Sequence, residues 1–367
     1  MADAASGKPT GRHEATGPRS GRPAPDAPAG HDRRLTPSRR SLLAAALPAT
    51  FGATGLLLTG CGEKGGETSS SGAKAGDSPG PGSSAHPRSP SASPSPTHTR
   101  RPPELPRGGR TLFPVHRLFG YCGLPGAGAL GRLGTGDLEQ RADEIEKRAH
   151  EFADGREPLP VFELLATVAN ASPGPGGTYR TRTPSDTIER FHDLARKHHA
   201  MLLLNVQPGR ASVLDEVKAL HKWLVHADVG VALDPEWEMG PGEVPGNTYG
   251  HTDGGELNDV AHYLSDLVDD HDLPEKPLVF HQVAMSVVGD RGSLRAHPGV
   301  VPIMSADGIG SPGLKRATWH QLVRGLPDCL HTGFKLFYDE DTRGGTRLMS
   351  PKDVLALKPQ PEYLMYE

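Results

Sequence analysis

Asp234 and Glu236 stand two residues apart at the end of a short apolar run that begins at Val229. Paired carboxylates suit general acid/base work. Cleaving a glycosidic bond needs one protonated acid for the leaving oxygen and a second carboxylate to stabilise charge or attack. Residues at i and i+2 of one strand start about 6–7 Å apart at Cα, near enough for one carboxylate to help hold a proton on the other. A salt-bridged or turn-capping pair is the plainer reading of any Asp-x-Glu, so placement has to decide.

Side chains alternate across a strand, so the two acids share a face with Gly230 and Ala232, while Val229, Val231 and Leu233 point the other way. Small residues on one face and branched ones on the other suit a closed barrel with helices outside. The chain around this run fits. Strand signals fall at 118–122, 160–167, 201–207, 229–234, 278–282, 300–304 and 332–337. Amphipathic helices lie between them. Thr183 and Pro184 read as the cap and first residue of a helix with Ile188, Phe191, Leu194 and Ala195 on its apolar face. Leu214, Val217, Leu220, Leu224 and Val225 mark another helix, and Leu257, Val260, Ala261, Leu264, Leu267 and Val268 a third. Strands alternating with helices imply a parallel sheet, and about 250 residues is the usual size of a (β/α)₈ TIM-type barrel. Seven strands are legible, so one is missed or the barrel is irregular. An open doubly wound sheet is the alternative, but no G-x-G-x-x-G opens a helix directly after a strand.

Polar residues gather where the strands end: Glu163, Asn205, Gln207, Asp234, Glu236, His281, Gln282, Asp307, Lys335, Tyr338, Asp339 and Asp341. The active face of a parallel barrel is the C-terminal one, so these are the candidate site residues. Trp237, Tyr121, Tyr249 and Tyr338 offer flat faces for sugar rings, although a lone Trp in such a loop more often packs the loop onto the barrel. Arg210 could hold an anionic ligand or, more simply, a carboxylate of the protein.

Other chemistries find little support. The 18 histidines are scattered, and the domain has no H-x-x-x-H or H-E-x-x-H, so neither a metal nor a cofactor is expected. Metal-dependent deacetylation is disfavoured accordingly. His281 suits a hydrogen-bonding or proton-relay role, while His192 with His199, and His221 with His226, read as helix-surface residues. Cys122 and Cys329 fall on opposite rims of a parallel barrel, so no bridge between them is expected. There is no nucleophile elbow and no phosphate loop.

The first third of the chain differs in kind. Ser38-Arg39-Arg40-Ser41 opens a weakly apolar run to Leu58 that ends in Thr59-Gly60-Cys61, the pattern of a secretory signal over residues 1–60. The run is too short and polar for a membrane span. Its end resembles a bacterial lipobox, which would make Cys61 the lipidated first residue of the mature protein, and its paired arginines resemble a twin-arginine export signal. Residues 61–109 are rich in Gly, Ser and Pro and read as a disordered tether of about 35–40 Å; residues 110–367 form the barrel domain. Residues 1–109 hold 14 Lys and Arg against 8 Asp and Glu, a balance of +6; the remainder holds 26 against 36, a balance of −10. An acidic globular part argues against nucleic-acid binding.

The run Val231 to Glu236 resembles the strand-end Asp-x-Glu of barrel glycoside hydrolases of the muramidase and chitinase groups. That resemblance implies Glu236 as proton donor and Asp234 as its support. Chitinase-type strands carry further aspartates where this chain has Gly230 and Ala232. The domain as a whole resembles secreted actinobacterial lipoproteins and cell-wall-associated proteins without an assigned activity, which share Asp234-Pro235-Glu236-Trp237 and the turn Gln207-Pro208-Gly209-Arg210. The expectation is therefore a lipid-anchored extracytoplasmic glycosidase acting on envelope or extracellular polysaccharide. Glu236 and Asp234 would be catalytic, with Glu163, Asp307 or Asp339 opposing them. A non-catalytic glycan- or small-ligand-binding barrel is the alternative.

Overall fold

A computed structural model describes residues 101–367. The signal-like run, Cys61 and the tether up to residue 100 lie outside the described residues. The strands are β1 (His116–Gly123), β2 (Glu157–Ala169), β3 (Arg180–Arg182), β4 (Met201–Val206), β5 (Val229–Leu233), β6 (Thr252–Asp253), β7 (Lys276–Gln282), β8 (Val288–Gly289), β9 (Val300–Ala306), β10 (His331–Leu336) and β11 (Tyr363–Tyr366). The helices are α1 (Leu138–Glu151), α2 (Ser185–Lys197), α3 (Val213–Lys218), α4 (His221–Leu224), α5 (Gly254–Asp270), α6 (Pro312–Leu322) and α7 (Pro351–Leu355).

Among these residues, eight parallel strands pair in the cyclic order β1-β2-β4-β5-β7-β9-β10-β11, and β11 returns to β1. The barrel is closed, as a TIM-type barrel requires. Each of the seven strands legible in the sequence is a barrel strand. The eighth is β11, a four-residue run that pairs Leu118 with Tyr363 on one side and Gly333 with Tyr363 on the other. Helices fill most crossovers, but between β7 and β9 the chain uses two 3-10 turns and β8. Outside the barrel, β3 folds back antiparallel on the end of β2, and β6 pairs with β8.

The alternation along β5 sorts as its residue types demand. Val229, Val231 and Leu233 join the layer between strands and helices, and Ala232 joins the barrel interior with Leu203 and Val279. A Cβ on Gly230 would come within 2.6 Å of Pro277 and 2.8 Å of Leu203, so the inner face has no room for a side chain there. Lys276, buried beneath β5, donates to the carbonyls of Val229 at 2.6 Å and His226 at 3.0 Å and so fixes the start of the strand.

Three local expectations are corrected. Thr183 does not cap α2: its hydroxyl donates to the Leu165 carbonyl at 2.6 Å, and Pro184 occupies the cap position. The helix expected over 214–225 is split into α3 and α4. His192 is not a surface residue; it is buried, with Nε2 3.1 Å from both carboxylate oxygens of Asp228.

Residues 101–109 pack against the barrel instead of continuing the tether. Leu105 and Leu112 are buried in the same cluster as Met201 and Leu203 and plug the N-terminal end of the barrel. Arg107 pairs with Glu146 at 2.5 Å and donates to the His199 carbonyl, and Glu275 accepts from the Leu112 backbone at 2.6 Å.

Candidate functional site

The strand β5 ends at Leu233, and Asp234 follows with φ −111° and ψ 85°. Its backbone N–H still bonds the Val206 carbonyl of the neighbouring strand β4 at 3.1 Å. Pro235, with φ restricted by its ring, then starts a 3-10 turn through Trp237. Glu236 therefore sits in a turn and not on an extension of the strand, so the shared face expected from alternation stops at Asp234. Both acids are buried. The Glu236 carbonyl accepts from Gly250 at 2.7 Å, which ties the following loop over the turn.

Asp234 is held by two amides. Asn205 Nδ2 donates to Oδ1 at 3.2 Å and Gln207 Nε2 donates to Oδ2 at 2.9 Å. The same Asn205 nitrogen donates to Glu163 Oε1 at 3.0 Å, so one amide bridges two carboxylates from β2 and the end of β5. Glu163 takes two further donors: His281 Nε2, 3.0 and 3.2 Å from its oxygens, and the hydroxyl of Tyr363. Glu163, His281 and Tyr363 are all fully buried.

Burial alone would raise the Glu163 carboxyl, but the charge and hydrogen bond of His281, with Lys335 behind, outweigh it and hold it below the usual range. The His281 imidazole is pushed down by burial and pulled up more strongly by Glu163, for a net rise. Burial, reinforced by Glu163, lifts the Tyr363 phenol well above its ordinary value. The three groups thus favour the carboxylate form of Glu163 and a neutral Tyr363 hydroxyl, with the His281 imidazole drawn toward its protonated form while Glu163 alone faces it.

The other half of the barrel mouth carries Lys335, whose Nζ lies 2.7 Å from Glu367 and 3.8 Å from Asp307 Oδ2. The Cys122 thiol donates to Glu367 at 3.6 Å. Asp234, His281 and Asp307 each present one ligand-type atom within 4.8 Å of the other two, so the mouth can hold a metal ion although no local motif announces one. These groups meet from the C-terminal ends of β1, β2, β4, β5, β7, β9, β10 and β11. A cleft of about 130 Å³ opens beside Glu367, walled by Gly131, Arg132, Thr135, Tyr338 and Asp339. A larger cavity of about 650 Å³ lies on the opposite rim, among Glu104, His199, His226, Asp228 and His271. It contains none of the strand-end groups, so size alone does not mark the site.

The remaining candidates divide. Tyr338 and Asp339 line the cleft, with the Arg132 guanidinium 5.6 Å from the Tyr338 ring. Arg210 donates to the Glu243 carbonyl at 2.7 Å and stacks on Tyr179 at 4.1 Å, pinning the loop after β5. Trp237 is buried and packs the loop, and Tyr121 is buried in the helix-facing layer, so neither is a sugar platform. Tyr249 packs at the edge of that layer. Asp341 accepts from Gly310 and Phe337 and pairs with buried Lys315 at 2.9 Å, a structural arrangement. Gln282 points away from the mouth and donates to the Ala284 carbonyl.

Sequence reasoning missed Tyr363 and Glu367. Both belong to β11 or follow it, and the strand-end rule that picked Asp234 would have picked Glu367 had the terminal Tyr363-Leu364-Met365-Tyr366 run been taken as a strand. No protein-family model matches the chain, and no curated protein matches it.

Proposed function

We propose that this protein is a lipid-anchored, extracytoplasmic glycoside hydrolase acting on cell-envelope or extracellular polysaccharide, as the resemblance to secreted barrel lipoproteins and muramidase-like enzymes suggests. The anchor would be Cys61. The observation that carries the enzymatic reading is the position of Asp234. It is oriented on both oxygens two residues before Glu236, at the C-terminal rim of a closed parallel barrel.

Glu236 donates its proton to the glycosidic oxygen. Both oxygens of Glu163 already receive donors, so Glu163 acts as the anion that aligns Asn205 and His281 and does not attack the sugar. Asp307, in the same mouth, is then the opposing carboxylate, activating water or stabilising the oxocarbenium-like transition state. Tyr338 and Asp339 contact the saccharide in the cleft.

Reducing-end release is measured on a panel of envelope and extracellular polysaccharides with the wild type and Glu236→Gln. A positioned general acid contributes about 10²–10⁴-fold, so the variant loses at least about a hundredfold in kcat. Hydrolysis unchanged in Glu236→Gln removes the assignment. Glycan binding without any new reducing ends moves the protein to the class of non-catalytic binding barrels.

A further inference from the structure

We propose that Asp234, His281 and Asp307 form a binding site for one divalent transition-metal ion, with Zn²⁺ the ion that their donor set matches. The three side chains come from the ends of β5, β7 and β9, which are consecutive in the barrel. One ligand-type atom of each lies within 4.8 Å of the other two, and all three residues are buried. Three ligands that share one tetrahedral Zn²⁺ at about 2.0–2.2 Å stand roughly 3.3–3.6 Å apart, so side-chain shifts of up to about 1 Å close the site. An imidazole with two carboxylates suits zinc or manganese better than calcium or magnesium, which take oxygen donors throughout. Three protein ligands leave a coordination position for water.

A second, independent feature points the same way. Ligating histidines ordinarily hand their other ring nitrogen to a carboxylate, which fixes the ring and raises its basicity. His281 Nε2 is held by Glu163, while Nδ1 is buried and has no hydrogen-bond partner among the described residues. Nδ1 is therefore the nitrogen left for an ion. Asp234 is likewise held from behind by Asn205 and Gln207, the support that a ligating carboxylate needs. Lys335 Nζ lies 3.8 Å from Asp307 Oδ2 and is engaged more closely by Glu367 at 2.7 Å. The inference does not rest on hydrolysis: the ion uses two carboxylates of the proposed catalytic site, yet its binding is read without substrate.

The test is calorimetric titration of ZnCl₂ into metal-stripped full-length protein. It is paired with Co²⁺ absorption spectra and with anomalous scattering from Zn²⁺-soaked crystals. One ion per chain is expected, with an anomalous peak between Asp234, His281 and Asp307. Asp307→Asn and Asp234→Asn should each weaken binding at least about tenfold, whereas exposed His262→Ala should leave it unchanged. Circular dichroism checks that each variant is folded, and the anomalous peak on the wild type decides the matter if one is not. Glu236→Gln should keep the ion while losing hydrolysis, which separates this site from the enzymatic reading. No binding, unchanged affinity in both aspartate variants, or a peak only at surface histidines overturns the proposal.

Discussion

Replacing Glu163 by Gln tests whether the centre of the barrel mouth is the charged cluster that its geometry implies. Glutamine keeps the volume and removes the charge. Asn205 donates to Oε1 and Tyr363 to Oε2, while His281 Nε2 lies 3.0 Å from Oε1 and 3.2 Å from Oε2. Whichever way the new amide turns, its NH₂ faces a donor, so at least one buried donor loses its acceptor. His281 also loses its counter-charge. A hydrogen bond to a charged group contributes about 1.5–3 kcal/mol, and removing one partner of a buried ion pair costs about 3–5 kcal/mol. The larger range applies, because Glu163 and His281 are fully buried. With about 2–4 °C per kcal/mol for a domain of this size, Tm should fall by roughly 6–20 °C. The assay is urea unfolding followed by circular dichroism, in wild-type and His281→Gln backgrounds. In the second background the cost should shrink by about 2 kcal/mol, because the pair is already broken. The effect should also depend on pH. Glu163 titrates below its ordinary 4.5 in the fold, so its contribution is full above 4.5 and is lost as pH falls through the lower folded value. His281 titrates above 6.5, so its contribution is full below 6.5 and is lost as pH rises through the higher one. The difference between wild type and variant should therefore peak between pH 4.5 and 6.5. A cost under about 1 kcal/mol in both backgrounds, with no pH dependence, refutes the charged pair.

Two further outcomes concern the loop that carries Glu236 and the edge of the domain. Burial, followed by the nearby Glu256, pushes the Glu238 carboxyl up to about 8, so the fold takes up a proton there. Stability should fall as pH rises from 4.5 through about 8, and Glu238→Gln, which mimics the protonated acid, should flatten that slope in a Tm-against-pH series; an unchanged slope contradicts the shared proton. Leu105→Ala should cost about 2–4 kcal/mol in chemical denaturation, since it opens the plug beneath the barrel. A cost below about 0.5 kcal/mol would place residue 105 in the tether after all.

The sequence by itself determined the architecture and the side of it that matters. Hydrophobic runs at the right spacing mark seven strands, and the Gly230/Ala232 face of β5 against Val229/Val231/Leu233 already states which side is the narrow interior. Such patterns are local, and local sterics and burial enforce them residue by residue. The closing strand β11 escaped because four residues at the chain end, behind Pro359 and Pro361, carry too little pattern of their own. Their extended form is imposed by β10 and β1 on either side. The partners within the site were likewise undecided. Glu163 meets His281 across 118 residues and Tyr363 across 200, and no spacing rule relates positions so far apart; only barrel closure brings them together. Tertiary packing also decided which plausible residues were not available. Trp237 was needed to seal the loop, and Arg210 to pin it through Glu243 and Tyr179. Asp234 kept the importance that its type and place suggested, while the turn at Pro235 set Glu236 apart from the strand face. That turn, and the amides that reach Asp234 from β4 and the residue just beyond it, are facts of three-dimensional packing, because a side chain's partners are chosen by what the fold brings within about 3 Å of it.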